Sequence, residues 1–203
     1  MGFFKKILGG ADETQNVQQA AEAKIDPRVK QTMEEVRVQN AGETHIPLGA
    51  FINACEAREV TLSPYMFEGC DLSDTILMQA DIERLGGQLS VRRGTKLNRC
   101  IFDASLTYEG LLTDNSTSMI GAVFQGLDAT THLVISAGNI SHARFEGAMG
   151  AQLEIGRTVI AHNIDMQGAK LAKLIVEPGA DLSGANFSHA RIVEFKTMME
   201  TAA

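Results

Sequence analysis

From about Tyr65 to Glu194 the chain reads almost end to end in steps of five residues. That period belongs neither to a helix nor to an ordinary strand, so it points to a chain that turns a corner every five residues and winds into a solenoid. The plainest runs are Cys70-Asp-Leu-Ser-Asp, Thr75-Ile-Leu-Met-Gln and Ala80-Asp-Ile-Glu-Arg near one end. Near the other are Ala180-Asp-Leu-Ser-Gly, Ala185-Asn-Phe-Ser-His and Ala190-Arg-Ile-Val-Glu. In each, a small residue comes first and an apolar residue third. Thr95/Leu97, Cys100/Phe102, Gly110/Leu112, Ala122/Phe124, Gly138/Ile140, Ala143/Phe145, Thr158/Ile160 and Ala169/Leu171 keep the frame. About 25 frames fit, with short insertions before Ala122, Leu133, Ile164 and Ala180, and about 14 have both residues of the pair where composition alone gives roughly 4. Leu85 to Gly94 and Ser105 to Met119 fit poorly and are expected to be distorted.

If the chain bends every five residues, four frames close one square coil of about 20 residues, and 25 frames give roughly six coils. The third residue points into the narrow interior and stacks on its equivalents. The first also points inward, at the corner, where only a small side chain leaves room. The expectation is an all-β solenoid with Leu72, Leu77, Ile82, Phe102, Phe145, Leu171, Leu182 and Phe187 buried. Coils stack at the strand spacing of about 4.8 Å, and the ends of such a rod need caps.

Gly179-Ala-Asp-Leu-Ser-Gly-Ala-Asn-Phe187 resembles the pentapeptide-repeat family, whose consensus is Ala-(Asp/Asn)-(Leu/Phe)-x-x. The resemblance covers about two thirds of the chain and implies a right-handed, four-sided parallel β-helix. A second set of phrases begins Leu89-Ser-Val, Leu111-Leu-Thr, Leu133-Val-Ile, Leu153-Glu-Ile and Leu174-Ile-Val, about one coil apart. Those phrases, with the start Met1-Gly-Phe-Phe-Lys-Lys, resemble bactofilins, a polymer-forming cytoskeletal family that is also β-helical. Their Gly-Asp-Ile turns are mostly missing here.

The segments divide as 1–10, 11–59, 60–194 and 195–203. Phe3, Phe4, Ile7 and Leu8 with Lys5 and Lys6, before Gly9-Gly10, read either as a membrane or partner anchor or as an unstructured terminus. Helices are expected from about Glu13 to Ile25 and from Pro27 to Gln39. Asp26 caps the second, and Val29, Met33, Val36 and Val38 form its face. Pro47 to Ala57, with Leu48, Phe51, Ile52 and Ala54, reads as an amphipathic helix, either lying over the first coil as a cap or detached from it. At the far end Phe195, Met198 and Met199 are expected to make one helical turn. That cover is thin and apolar, so it is the candidate oligomer interface, with a dimer favoured over a filament.

The chain of 203 residues carries net charge −7, and Tyr65 to Glu194 holds 15 acidic and 10 basic residues. A mildly acidic rod of mixed sign lacks the basic stripe that nonspecific nucleic-acid binding needs. A DNA-mimicking topoisomerase binder, which the first resemblance permits, needs an acidic stripe that Arg92, Arg93, Lys96 and Arg99 interrupt. No apolar run approaches a membrane span, and nothing reads as a cleavable signal. Three cysteines, with Cys70 and Cys100 on inward positions and Cys55 unassigned, suit a reducing cytoplasm. His45, His132, His142, His162 and His189 are scattered. Stacking could bring His142 near His162, but no third ligand completes a metal site. No phosphate loop or nucleophile elbow is present, so no catalytic residue, metal or cofactor is assigned. The expectation is a noncatalytic cytoplasmic scaffold with protein partners, or alternatively a polymer-forming cytoskeletal element at a membrane.

Overall fold

A computed structural model describes residues 26–108 and 110–197. The segments expected to hold the anchor and the first helix, and Met198 and Met199, lie outside them. The chain forms a parallel β-solenoid of about six turns preceded by a small helical part. Helix α1 spans Pro27–Gln39 and α2 spans Leu48–Glu56; strand β1, Ile46–Pro47, joins them to the solenoid.

The solenoid is followed most easily along one ladder of parallel bridges: Asp71, Lys96, Ser118, Asn139, Ile160 and Asp181. The residue after each points inward. Leu72, Leu97, Met119, Ile140 and Ala161 are fully buried, and Leu182 ends the column half-buried. The numbering sets the coil length. The step is 25 residues from Asp71 to Lys96, 22 to Ser118, then 21 in each coil that follows. The expected coil of 20 is therefore one residue short, and the scattered insertions in the sequence belong to a regular 21-residue turn. In the Ile160 coil, further ladders at Asp165, Lys170 and Leu174 give the turn four sides.

On the second side lies a five-stranded sheet ordered β1-β2-β4-β6-β8, where β2 is Thr75–Leu77, β4 Ile101–Phe102, β6 Val123–Gln125 and β8 Arg144–Glu146. Its register places Leu77, Phe102, Phe124 and Phe145 one above another. Because each coil rises by about one strand spacing, the rings stack nearly face to face. The Phe102–Phe124 centroids are 4.6 Å apart and tilted by 10°, and Phe124–Phe145 are 5.0 Å apart and tilted by 8°. Met166, fully buried, and Phe187 continue this column.

The phrases that begin with leucine are stacked as their spacing implied. Strand β3, Leu89–Ser90, pairs with β5, Leu111–Leu112, placing Leu89 beside Leu111. A four-stranded sheet holds β7, His132–Asn139; β9, Gln152–Ile160; β10, Lys170–Val176; and β11, Arg191–Thr197. It aligns Leu133, Leu153, Leu174 and Phe195. Phe195 is thus the last rung of a strand column, not part of a helical turn. The sheet breaks between β5, which lies in the stretch expected to be distorted, and β7, which lies beyond it. In that stretch Tyr108 takes a left-handed backbone (φ 64°), which costs a bulky residue about 1–2 kcal/mol, and its buried hydroxyl finds no partner among the described residues.

Corners are made by a recurring local device. An Asp or Asn carboxyl or amide oxygen accepts the backbone N–H two residues on. Asp71 does so from Ser73, Asn139 from Ser141 and Asp181 from Ser183, each at 2.9 Å. The next residue turns into the left-handed region. Asp74, Arg99, Gly121, His142, Asn163 and Gly184, with φ between 54° and 73°, stack as one corner column. The polar second position of the repeat therefore shapes the turn rather than merely meeting water.

These turns set an acid limit. Hydrogen bonds from the Ser183 side chain and backbone, then from His162, hold the Asp181 carboxyl down to about 2, and Thr130 holds the Asp128 carboxyl below its ordinary value in the same way. A carboxyl depressed in the folded state contributes fully above its unfolded value of about 4 and loses that contribution as pH falls toward 2. Denaturant midpoints measured at a series of pH values are expected to drop below pH 4. Asp181→Asn, which keeps the turn acceptor, is expected to remove part of that slope.

Two frames depart from the simple rule. Ala80-Asp-Ile-Glu-Arg forms helix α3, Gln79–Arg84, instead of a coil side; Ile82 is still buried but Ala80 is exposed. Thr158 and Ile160 both face outward, Ile160 at 43% exposure, while Val159 and Ala161 point in. The cause is an irregularity in β9, where Ile155 pairs with Ile135 but Thr158 pairs with Ala137. One extra residue shifts the frame by one, and the large residue takes the first inward place while alanine takes the third. Gly156 sits at that bulge, where a Cβ would lie 2.4 Å from the Ser136 carbonyl oxygen. Such an approach of two backbones requires glycine. Gly156→Ala is expected to cost about 1–3 kcal/mol, read as a lowered urea midpoint.

Candidate interaction surface

The two ends of the rod are built differently. At the lower end α2 lies over the first coil with Leu48, Phe51, Ile52 and Cys55 fully buried, and these join one continuous core with Leu72 and Leu77. The cap reading of Pro47 to Ala57 is therefore the one the structure has. Helix α1 packs beside it through Val29, Thr32, Met33 and Val36; Val38, expected on this face, is 77% exposed. Asp26 caps α1 by accepting the Arg28 N–H at 2.9 Å, and Pro27 takes the first helical position.

Three side chains that sequence reasoning did not single out complete the cap. The Arg37 guanidinium donates to the backbone carbonyls of Asp71 (2.8 Å) and Ser73 (2.9 Å), and it lies 5.6 Å over the Phe51 ring. One coil higher, the backbone N–H groups of Leu97 and Arg99 donate to the coil above, so Arg37 does for the first coil's edge what a neighbouring coil does elsewhere. Helix α2 begins at proline and has no side-chain cap of its own; the Asp81 carboxylate, from α3, accepts the Gly49 N–H instead. Burial pushes the Asp81 carboxyl up. A Cβ at residue 49 would meet Asp81 Oδ1 at 2.6 Å, which accounts for glycine there. Arg84 ties α3 to α2 through Glu56 (2.6 Å) and Asn53 (2.8 Å).

Among the described residues the upper end is open. Ala161, Asn163, Met166 and Gly168 each donate a backbone hydrogen bond upward, to Asp181, Ser183, Asn186 and Ser188. Their counterparts one coil higher are Leu182, Gly184, Phe187 and His189, whose N–H groups have no backbone acceptor among the described residues. Strand β11 is the edge of its sheet. Apolar side chains follow the same course. Phe187 is 36% exposed, Phe195 58% and Val193 76%, and Leu182 and Ile192 are half-buried. The expectation that Leu182 and Phe187 are buried fails for this reason. They occupy inward positions, but no described coil lies over them. Of the three residues expected to form an interface, Phe195 stands at this end; Met198 and Met199 fall outside the described residues. Phe187 and Val193 were missed, although both belong to the last coil.

The rest of the surface offers little chemistry. His142 donates its N–H to the His162 carbonyl across adjacent coils, so these residues are brought together, and His162 Nε2 lies 2.6 Å from Asp181 Oδ2. Among the described residues no group of three or more His, Cys, Asp or Glu side chains is arranged to hold a metal ion. The three thiols are free and buried. Burial raises all of them, Cys70 to about 11 and Cys100 to about 12, so little reactive thiolate forms near neutrality. A groove of about 620 Å³ beside α1 is lined by charges of both signs, Lys30, Arg37 and Lys96 against Glu34, Asp71 and Asp74. Lys96 and Arg99, part of the basic group near residue 95, face Asp71 (4.0 Å) and Asp74 (2.6 Å). Among the described residues no helix is long and apolar enough to cross a membrane. No family model, no curated protein and no solved structure matches the chain.

Proposed function

We propose that this solenoid is a noncatalytic scaffold of the bacterial cytoplasm, of the pentapeptide-repeat type, that engages protein through the open end of its last coil. The observation that carries this reading is the asymmetry of the ends: one is covered by helices and by Arg37, and the other leaves N–H groups and apolar side chains without partners among the described residues. A contiguous apolar patch beside an unpaired strand edge is the usual mark of a surface meant to be covered. Buried thiols of low reactivity and mixed surface charge suit binding better than chemistry or nucleic-acid contact.

Affinity capture with the full-length chain, set beside a Phe187→Asp, Val193→Asp variant, tests the reading. Identified partners bound by the first and lost by the second are the expected result; identical partners for both would sink it. The polymer-forming reading is favoured by one observation, the leucine column at about one coil per rung, which carries the bactofilin resemblance. Long filaments in negative-stain micrographs would promote that reading. Liposome flotation with and without residues 1–10 tests the anchor of Phe3, Phe4, Lys5, Lys6, Ile7 and Leu8.

A further inference from the structure

We infer that the occupant of the open end is a second copy of this chain, joined tail to tail about a two-fold axis through antiparallel pairing of β11 with its symmetry mate, an inference that rests on the open end being the interaction surface. Closed two-fold contacts use the same patch on both partners, so the patch must be self-complementary. Strand β11 meets that condition in one register. With Phe195 facing its own copy, Glu194 of each chain lies opposite Lys196 of the other, and Val193 lies opposite Thr197. Opposite charges directly across an antiparallel pair attract, whereas like charges there repel. Within one chain Glu194 and Lys196 already pair at 2.5 Å, so both charged groups lie on one side of the strand and can exchange partners without leaving it.

The side-chain columns support the same arrangement. Phe195 continues the column of Leu133, Leu153 and Leu174. A two-fold axis normal to the sheet keeps the interior on the same side in both copies, so the two Phe195 rings extend one column across the junction. Phe187, Leu182 and Ile192 stand in the same end face and are covered by the mate. Head-to-tail stacking would instead place the open end against α1 and α2, which already fill the lower edge. The contact therefore closes at two copies and does not propagate.

The test uses the full chain. Light-scattering-coupled chromatography is expected to give twice the monomer mass, and Phe195→Asp the monomer mass. Lys196→Glu places like charges opposite one another twice, and is expected to raise the dimer dissociation constant about tenfold; adding Glu194→Lys restores it. All native thiols in the described residues are buried, so a single surface cysteine reports its own symmetry mate. Oxidised Phe195→Cys is expected to cross-link into a dimer, because directly opposed residues lie about 4.5–5.5 Å apart, and Val193→Cys, displaced by four residues from its copy, is not. A monomeric wild-type chain overturns the inference, even where the end still captures another protein. So does a dimer that survives Phe195→Asp, or one in which Val193→Cys cross-links and Phe195→Cys does not.

Discussion

Phe124→Ala is expected to destabilise the protein by about 3–5 kcal/mol, the range for emptying a buried aromatic site. The ring is fully buried and stacked on both faces, by Phe102 at 4.6 Å and Phe145 at 5.0 Å, with Tyr108 at 6.1 Å beside it. A solenoid interior is poorly able to close such a hole. The coils are held apart by their backbone ladders at a fixed spacing of about 4.8 Å, so neighbouring rings cannot collapse inward without breaking hydrogen bonds. For a chain of this size the loss corresponds to a fall in melting temperature of roughly 10 °C. Thermal unfolding followed by circular dichroism checks it, and a change of only a degree or two would mean that the column is not the core. Phe124→Leu, which leaves a smaller void, is expected to lose less than half as much.

Arg37→Ala is expected to cost about 2–3 kcal/mol, more than most substitutions of a partly exposed charge. The guanidinium makes two hydrogen bonds to backbone carbonyls and covers the Phe51 ring. Bonds to a charged donor contribute about 1.5–3 kcal/mol each, and water reaches part of this site and offsets some of the loss. Arg37→Lys keeps the charge without the fork and is expected to fall between wild type and alanine. Urea titration gives the energies. The location of the damage is tested by hydrogen exchange, in which Leu72 and Asp74 and the amides of α1 and α2 are expected to lose protection before Phe145 or Leu153. Uniform loss of protection along the rod would show that Arg37 is not an edge cap.

The rod was legible because its third-position residues repeat through space as they repeat along the chain. Leu72, Leu77, Phe102, Phe145 and Leu171 are buried as the frame requires. Helix α1 was legible from Asp26-Pro27 to its last residue, because a cap and a proline fix a helix start locally. What failed did so for reasons a periodic rule does not contain. Leu182 and Phe187 obey the frame and are still left uncovered by the described residues, because an inward position is buried only where a neighbouring coil lies over it. Ala80 to Arg84 fits the repeat yet folds as α3. Its Asp81 is spent on the N-terminus of α2, a contact between segments about 30 residues apart. Val159 and Ala161 take the inward places expected of Thr158 and Ile160, because one residue at the Gly156 bulge shifts the frame. Arg37 carried no signal at all in sequence, since its partners are backbone atoms of residues more than 30 positions away. The candidate surface was half legible: Phe195 was foreseen for its apolar character, Phe187 and Val193 were not.

The left-handed corner of the rod has a consequence for how such a surface can change. Along it stand Asp74, Arg99, Gly121, His142, Asn163 and Gly184, one above another. Acid, base, amide, imidazole and no side chain at all occupy equivalent places. What they share is tolerance of one backbone shape, which glycine, asparagine, aspartate and histidine accept more readily than most residues. Chemistry on this line is therefore nearly independent of the core behind it. A vertical strip of six positions, about one strand spacing apart, can be rewritten from acidic to neutral to imidazole while the interior columns stay as they are. The fold separates the part of the sequence that specifies shape from a part that is free to specify recognition, and it lays the second part out as a straight row.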